Sequence, residues 1–360
     1  GRINWNVDIQ LPYDFMLSVG AMYTRDIYNV AQINMNEAEP TGVYNEQPDR
    51  IYWASKKYEY NDYTNGKNVV VKLSNGEDKG YQYSFNAILT KKYDFGFTGS
   101  IGYTYTMAKD LTANPGSAPN SAWQNNVAVN SLNDPGVSYS LFSTPHRIIA
   151  NASYEINYAK CLKTTFSLFY SGYHTGRYSY TYYNDMNGDG NYSDLIYVPN
   201  SQDEMTFVDI TDKSGAITYS AVDQAKDFWD FVNNDSYLKD RKGKYVERNG
   251  SLTPWINRFD FKIAQDFYAT LGGRKYGIQV SLDMLNVGNM INSKWGAYQS
   301  CGLKSYDNVQ LLKTASKVGE PLTYQINANS REAFKERSSW QYTNTIGSAW
   351  SMQLGVKVTF

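Results

Sequence analysis

The chain has 360 residues, and its 34 Lys and Arg residues almost balance its 35 Asp and Glu residues. This balance gives no basic footprint for nucleic acid, so we expect no nucleic-acid partner. Aromatic residues make up 16% of the chain, with 33 tyrosines, a content that suits a boundary between apolar and wet surroundings. No apolar run approaches the ~20 residues that a membrane helix needs.

Alternation of apolar and polar residues predicts about nine strands, each with one apolar face. The closing strand shows it most clearly, because Leu354, Val356, Val358 and Phe360 alternate with small or polar residues. The predicted strands, in chain order, span residues 3–11, 15–24, 81–89, 95–106, 147–157, 162–170 (running on to about 183), 258–267, 278–284 and 349–360.

The predicted connections alternate between short and long. Tight turns fall near residues 12–14, 91–94, 158–161 and 271–275, whereas polar stretches occupy about 26–79, 109–144, 184–253 and 286–344. Every short turn therefore lies at one end of the strands and every long loop at the other, as in outer-membrane barrels. A soluble all-β sandwich or β-helix is the alternative, but sandwiches do not sort loop lengths by end.

The faces opposite the apolar sets carry charges, which must meet water or one another because lipid penalises each of them. We therefore predict a transmembrane antiparallel β-barrel segment with a polar lumen. Nine strands are odd in number and would leave open edges in lipid, so we expect further strands upstream and a longer protein. The predicted lumen residues are Asn6, Asp8, Arg147, Glu155, Arg258, Asp260, Lys262 and Asp283.

Several short strings stand out for their order and spacing: DMNGDG at 185–190, IYVP at 196–199, ERNG at 247–250, PWINRFD at 254–260, LNVGNMIN at 285–292, WG at 295–296 and VKVTF at 356–360. In that order and spacing they resemble the C-terminal half of a TonB-dependent outer-membrane receptor from the Bacteroidota, closest to the Oar-like group and more distantly to SusC-like receptors.

The resemblance implies that residues 1–360 are the C-terminal nine strands of a 22-stranded barrel, with an N-terminal plug domain and a TonB-contacting box outside this sequence. It implies nutrient import through the plugged barrel, driven by TonB, in the bacterial outer membrane. The implied partners are lipid, the rest of the receptor, TonB, and a surface lipoprotein or other outer-membrane subunits. The alternative is a non-transporting surface or structural barrel, used in adhesion or as a subunit of a larger complex.

The closing strand also has an implied role. Leu354, Val356, Val358 and Phe360 are predicted to face lipid, and the resemblance makes the terminal Phe360 part of the signal for barrel assembly. Tyrosines near the short turns are predicted to form an aromatic girdle at the periplasmic boundary. These tyrosines are Tyr13, Tyr93, Tyr158 and Tyr268.

One acidic stretch is a candidate calcium loop. Asp185, Asn187 and Asp189, followed by Gly190, match the start of an EF-hand-type loop, in which alternate oxygens converge on a hard cation. Asn191 would add a backbone carbonyl, and Asp194 would replace the missing final Glu. Ca²⁺ would stiffen an extracellular loop; the alternative is a turn rich in Asp and Asn without metal.

The third long loop contains a predicted helix at about 220–233, capped by Ser220 and Asp223, with Val222, Ala225, Trp229 and Val232 on one face. Packing against neighbouring loops is favoured over contact with a ligand. Five loop aromatics are candidates for stacking on a sugar or peptide, and for them too packing is favoured over ligand contact: Trp123, Tyr180, Trp229, Trp295 and Trp340.

No pattern points to catalysis. His146 and His174 are the only histidines, and no cluster has zinc spacing and no nucleophile motif is present, so we expect no enzymatic activity. Cys161 and Cys301 lie at opposite ends of the predicted strands, too far apart for a disulfide. A soluble carbohydrate-binding β protein remains a third alternative.

Overall fold

A computed structural model describes residues 1–60, 68–114, 116–301, 304–305, 308–327, 334, 340–343 and 345–360. The chain is mostly β, with 49% strand and 11% helix. Within these ranges, no helix is both long and apolar enough to cross a membrane.

Nine long strands form the main sheet, in the same order in space as in the chain. Each pairs antiparallel with the next, as the alternation predicts for strands joined by direct connections. The strands are β1 (Arg2–Leu11), β2 (Phe15–Arg25), β3 (Tyr81–Lys92), β4 (Phe97–Asp110), β5 (His146–Tyr158), β6 (Leu162–His174), β7 (Trp255–Leu271), β8 (Arg274–Leu285) and β9 (Ser351–Thr359).

The pairing register brings the apolar side chains of all nine strands onto one face. Val7 lies opposite Val19, Val19 opposite Ala87, and the series continues to Val280 opposite Val356 at the other edge. Because facing alternates with every residue, this register puts the charged residues on the other face. The predicted antiparallel strands and their facing are confirmed.

The four short connections all lie at one end of the sheet, which we call the turn end. The first is a 3-10 turn at Pro12–Asp14, and β8 follows β7 after Gly272 and Gly273. The long connections, at residues 26–80, 111–145, 175–254 and 286–350, lie at the other end, the loop end. The predicted alternation of short and long connections is confirmed.

The four long connections pack together, and we call them the loop domain. It contains helices α1 (Pro119–Gln124), α2 (Ala221–Asn234) and α3 (Val287–Ile291) and 3-10 turns at Gln202–Glu204 and Leu238–Asp240. Its short strands are Val30–Asn34, Gly42–Val43, Ile51–Tyr52, Val71–Asn75, Ser138–Tyr139, Arg177–Tyr182, Tyr197–Val198, Ile210–Thr211, Ile217–Tyr219, Lys244–Tyr245, Ser251–Leu252, Gln299–Cys301, Lys304–Ser305, Asn308–Thr314, Tyr324–Ile326 and Trp340–Tyr342.

The predicted continuation of the sixth strand to about residue 183 is wrong. β6 ends at His174, and Arg177–Tyr182 is a separate strand with every residue buried. It pairs in parallel with Asn308–Thr314, a strand that the sequence analysis places in a polar loop. A strand that is buried on both faces carries no alternation signal of its own, so its tyrosines resemble a continuation of β6 in the sequence.

The loop domain has a hydrophobic core of its own, built from all four long connections. Tyr44, Val127, Ile196 and Leu311 come from the first, second, third and fourth connection, and all are buried in one cluster. The expectation of long polar loops therefore needs correction, because the polar residues cover a packed interior. Cys301 is buried in this core, whereas Cys161 is exposed at the turn end, and the two cysteines do not form a disulfide.

The predicted helix is α2, and Ser220 caps it by accepting the backbone N–H of Asp223 at 3.1 Å. Its predicted apolar face is partly wrong. Val232 is buried and Trp229 packs on the core, but Val222 is 75% exposed. Phe228 and Phe231 carry the buried face instead, because the loop-domain core lies against that side of the helix.

Candidate functional site

The apolar face of the main sheet is its most unusual surface. Trp5 on β1 is 56% exposed and Leu354 on β9 is 72% exposed, and exposed apolar side chains also occur on the strands between them. Soluble proteins rarely expose contiguous apolar patches larger than a few hundred Å². This face is therefore suited to an apolar environment or partner.

The closing-strand residues lie as the alternation requires. Leu354, Val356 and Val358 pair with Leu282, Val280 and Ile278 across the apolar face. Phe360 follows the end of β9 and is 94% exposed. The strand presents its apolar side to the surroundings over its whole length.

The opposite face of the sheet is polar and is crossed by ion pairs. Lys262 Nζ lies 2.8 Å from Asp283 Oδ1 on the neighbouring strand, and Lys163 Nζ lies 3.4 Å from Glu155 Oε2. Arg258 and Asp260 are joined at 3.5 Å. All eight residues predicted for the lumen lie on this face, which is suited to water or a polar body.

Three of the four predicted girdle tyrosines lie as expected near the turn end. Tyr13 is exposed in the first turn, Tyr93 packs on Phe95 with ring centroids 5.1 Å apart, and Tyr158 ends β5 on the apolar side. The prediction for Tyr268 is wrong. It follows Phe267 on β7, and alternation turns it to the polar face beside Asp266.

Arg50, from the first long connection, is fully buried at the centre of the loop domain. Its guanidinium donates to the backbone carbonyls of Val129 and Leu195, in the second and third connections. Asp194 lies 3.5 Å away, and the ring of Tyr245 lies 4.7 Å below. One side chain thus joins three connections, and nothing in the local sequence marks it as buried.

The strings that carry the family resemblance meet one another in space. Asp260 accepts the backbone N–H of Asn286 at 2.7 Å, which joins PWINRFD to LNVGNMIN. Asn286 has the left-handed φ of 53° and donates its side-chain amide to the carbonyls of Gly296 and Ser348. Asn286 therefore fixes both ends of the fourth connection where it leaves β8 and returns toward β9.

Arg248, in the string ERNG, ties the third connection to the second. It is 2% exposed and donates to the carbonyl of Leu111, to Asn126 Oδ1 at 3.0 Å and to Asp110 Oδ1 at 3.3 Å. It is a structural anchor. A cavity of about 710 Å³ lies beside it, between the second and third connections, and Lys244 and Glu247 also line this cavity.

The five candidate loop aromatics are not gathered into one site. Trp123 belongs to a small separate cluster, Tyr180 donates to Asp235 at 2.8 Å in the main core, and Trp340 packs on Tyr178. Trp229 packs against the core from outside, with Lys242 4.5 Å from its ring centre. Trp295 differs from the others, because it is 53% exposed.

Trp295 lines a cavity of about 520 Å³ where the loop domain meets the apolar face of β7. Trp255 and Phe259 form the β7 wall, and Tyr342 and Lys294 complete the side made by the fourth connection. The sequence predicts Trp295 as a candidate but does not indicate the cavity, because Trp255 and Tyr342 are 40 or more positions away along the chain.

The candidate calcium loop is buried and closed by its own hydrogen bonds. Asp185 accepts the backbone N–H of Gly188 at 2.8 Å and of Gly190 at 2.9 Å, and Asp189 accepts that of Asn191 at 2.7 Å. Both glycines have positive φ, and a Cβ on Gly188 would lie 2.6 Å from a backbone oxygen. Asp194 accepts from the backbone of Met186 and pairs with Arg50.

The electrostatics of this loop favour neutralisation of its carboxylates. Burial raises the pKa of Asp194 to about 7, although Arg50 opposes the shift. Burial and the charges of Asp194 and Asp185 raise the pKa of Asp189 well above its usual value. A cation would relieve this repulsion, but no group of three acidic, His or Cys side chains in the described ranges is arranged to hold a metal. Calcium stays a prediction, with Asp185, Asn187, Asp189, Asn191 and Asp194 as its ligands.

Comparison with known proteins adds no identification. No protein-family model, no curated protein and no solved structure matches the chain. Inference about function therefore depends on the residues and their geometry.

Proposed function

We propose that the chain is the C-terminal barrel portion of a TonB-dependent transport receptor of the bacterial outer membrane. Its nine strands would cross the membrane with the apolar face in lipid and the polar face toward the lumen. The loop end would face the outside and the turn end the periplasm. The complete receptor would import a nutrient, with TonB acting on an N-terminal plug.

The observation that carries the proposal is the continuous, exposed apolar face of a nine-stranded antiparallel sheet, backed by a face of ion pairs. Only helices and closed barrels satisfy their backbone in lipid. The sheet is open as described, because β1 and β9 each pair on one side only. Strands from upstream would close it between these two edges.

The order and spacing of the Oar-like strings support transport over other barrel functions. The hydrogen bond between Asp260 and Asn286 gives two of these strings, PWINRFD and LNVGNMIN, a common structural role, because it holds the fourth connection on the sheet. A non-transporting surface barrel would need the same sheet, so the strings rather than the sheet favour transport.

The upstream sequence and TonB binding test the proposal. We expect the full-length gene product to carry a plug domain and a TonB box, and the purified protein to capture the C-terminal domain of TonB. Deletion of the box should abolish capture and leave membrane insertion unchanged. A full-length protein without plug or box would defeat the transport function and favour the surface barrel.

A further inference from the structure

We propose that the cavity beside Trp295 binds one anionic membrane lipid, with an acyl chain on the apolar face of β7 and the headgroup phosphate at Lys294. The inference rests on the proposed membrane location of the sheet. It adds a lipid site that transport itself does not require.

The cavity has aromatic walls and lies where the loop domain meets the apolar face of β7. Trp255 and Phe259 stand on the apolar face at the loop end of β7, and Trp295 reaches down to them from the fourth connection. A Cβ on Gly288 would lie 3.6 Å from Trp295 and 4.0 Å from Phe259, so these two rings flank that glycine. An acyl chain that lies along the apolar face would have its end between the rings of Trp295 and Phe259.

The β7 wall is held in place by polar contacts. Trp255 Nε1 donates to Asn257 Oδ1 at 2.9 Å, and the Tyr170 hydroxyl donates to the same oxygen at 2.8 Å. Gly172 makes room for both rings, since a Cβ there would lie 2.7 Å from Trp255 and 2.4 Å from the Tyr170 hydroxyl oxygen. The site is therefore formed before any ligand arrives.

The charge at the cavity selects an anionic headgroup. Lys294 is exposed at the cavity, 5.8 Å from the ring centre of Tyr342, and has no salt bridge within the described ranges. Among the residues that the structure describes, no Asp or Glu lines the cavity, whereas Asn257 and Gln299 supply polar groups. A phosphate at Lys294 would gain a charge-assisted contact there.

The cavity stays open to the surroundings in a closed barrel. β8 and β9 separate β7 from the open edge, so strands added at β9 would not cover the cavity. The described residues that line it belong to β7 and the fourth connection, and Trp255 and Phe259 lie on the apolar face of β7. In the proposed receptor this face lies in the membrane, which favours a lipid over a soluble ligand.

Native mass spectrometry of the full-length protein in detergent, supplied with phosphatidylglycerol or phosphatidylcholine, tests the site. We expect one retained phosphatidylglycerol and no retained phosphatidylcholine. Lys294→Gln should lower retention about tenfold, the effect of one charge-assisted contact, and Trp295→Ala should lower it at least as much. Trp5→Ala is the matched control, because Trp5 is similarly exposed on the apolar face but far along the sheet.

Equal retention of the two lipids, or retention unchanged in both cavity variants, would overturn the lipid site. Loss of retention in Trp5→Ala would overturn it too, because the lipid would then be part of a general annulus. Displacement by inorganic phosphate alone would show a phosphate site without an acyl component. Extraction of the protein into buffer without detergent would instead defeat the membrane proposal, so the two failures are distinguishable.

Discussion

At the scale of single residues, buried cations hold the loop domain together. Arg50 satisfies carbonyls from two other connections and faces the buried Asp194. Gln47 adds a polar link, because its amide donates to the hydroxyls of Tyr182 and Tyr324 at 2.9 and 2.8 Å. These contacts join residues between 79 and 277 positions apart, so each connection depends on the others for its conformation.

Arg50→Met should loosen the whole loop domain. The substitution leaves Asp194 buried without its cation and two carbonyls without a donor, which costs about 3–5 kcal/mol. Hydrogen exchange of the amides in Arg177–Tyr182 should accelerate about a hundredfold or more if they open with the domain. Arg147→Met, on the exposed polar face, is the control. Unchanged protection in Arg50→Met would show that Arg50 is not an anchor.

The acidic loop should make the loop domain less stable as pH rises. Asp194 has an ordinary pKa of 3.8, raised to about 7 in the fold. Between these values the folded state keeps a proton that the unfolded state has lost, so the free energy of unfolding falls with rising pH. In EDTA, we expect a lower Tm at pH 8 than at pH 5.

Calcium should reverse that loss, since it would replace the proton among the carboxylates. Added CaCl2 should raise Tm more at pH 8 than at pH 5. Asp189→Asn, which keeps the hydrogen bond to Asn191 but removes a buried charge, should flatten the pH dependence. A Tm that rises from pH 5 to pH 8 in EDTA would contradict the predicted effect of the buried carboxylates. A Tm that does not respond to calcium would contradict the metal prediction only.

At the scale of elements, the two faces of β9 should respond oppositely to the same new charge. Leu354→Arg would put a cation in lipid, at a cost of about 2–4 kcal/mol near the midplane. Gln353→Arg would put it on the polar face opposite Asp283. The folded fraction in outer membranes should fall for the first variant and hold for the second. Equal tolerance of both would argue against a lipid-facing side.

The N-terminus of α2 offers a smaller, local test. Ser220→Ala removes the hydrogen bond to the backbone of Asp223 and should cost about 1 kcal/mol. Hydrogen exchange should then accelerate in the first turn of α2, with Ser220→Asp retaining protection. Equal exchange in all three proteins would mean that tertiary packing alone fixes the helix start.

The strand pattern could be predicted because its signal is local. Facing alternates at every residue, so Leu354 and Gln353 are assigned from their neighbours alone. The same rule places Tyr268 on the polar face with Asp266, whereas the girdle prediction assigns it to the apolar face. The cap of α2 can also be predicted from the sequence, because Ser220 and Asp223 are only three positions apart.

The loop-domain core could not be predicted from local patterns. Its contacts join distant segments, as Tyr182 meets Tyr324 with ring centroids 6.3 Å apart. Arg50 has the sequence environment of a surface residue, and its burial follows from carbonyls supplied by other connections. The cavity at Trp295 is equally non-local, since Trp255 and Tyr342 complete it.

At the scale of the whole molecule, the chain divides into a sheet with two unlike faces and a packed loop domain at one end. The open edges at β1 and β9 are hydrogen-bonding surfaces that need partners, because unpaired strand edges invite association. In the proposed receptor, upstream strands supply those partners and the loop domain shapes the outer entrance.

Cysteine labelling across the membrane tests the central claim most directly. Cys161 is exposed at the turn end, and Ser214, in the third long connection, is exposed in the loop domain. In intact cells, a membrane-impermeant maleimide should label Ser214→Cys and leave Cys161 unmodified until the outer membrane is permeabilised, with sites read by peptide mass spectrometry. Labelling of Cys161 in intact cells, or protection of both positions, would contradict a sheet that spans the outer membrane with its loop end outside.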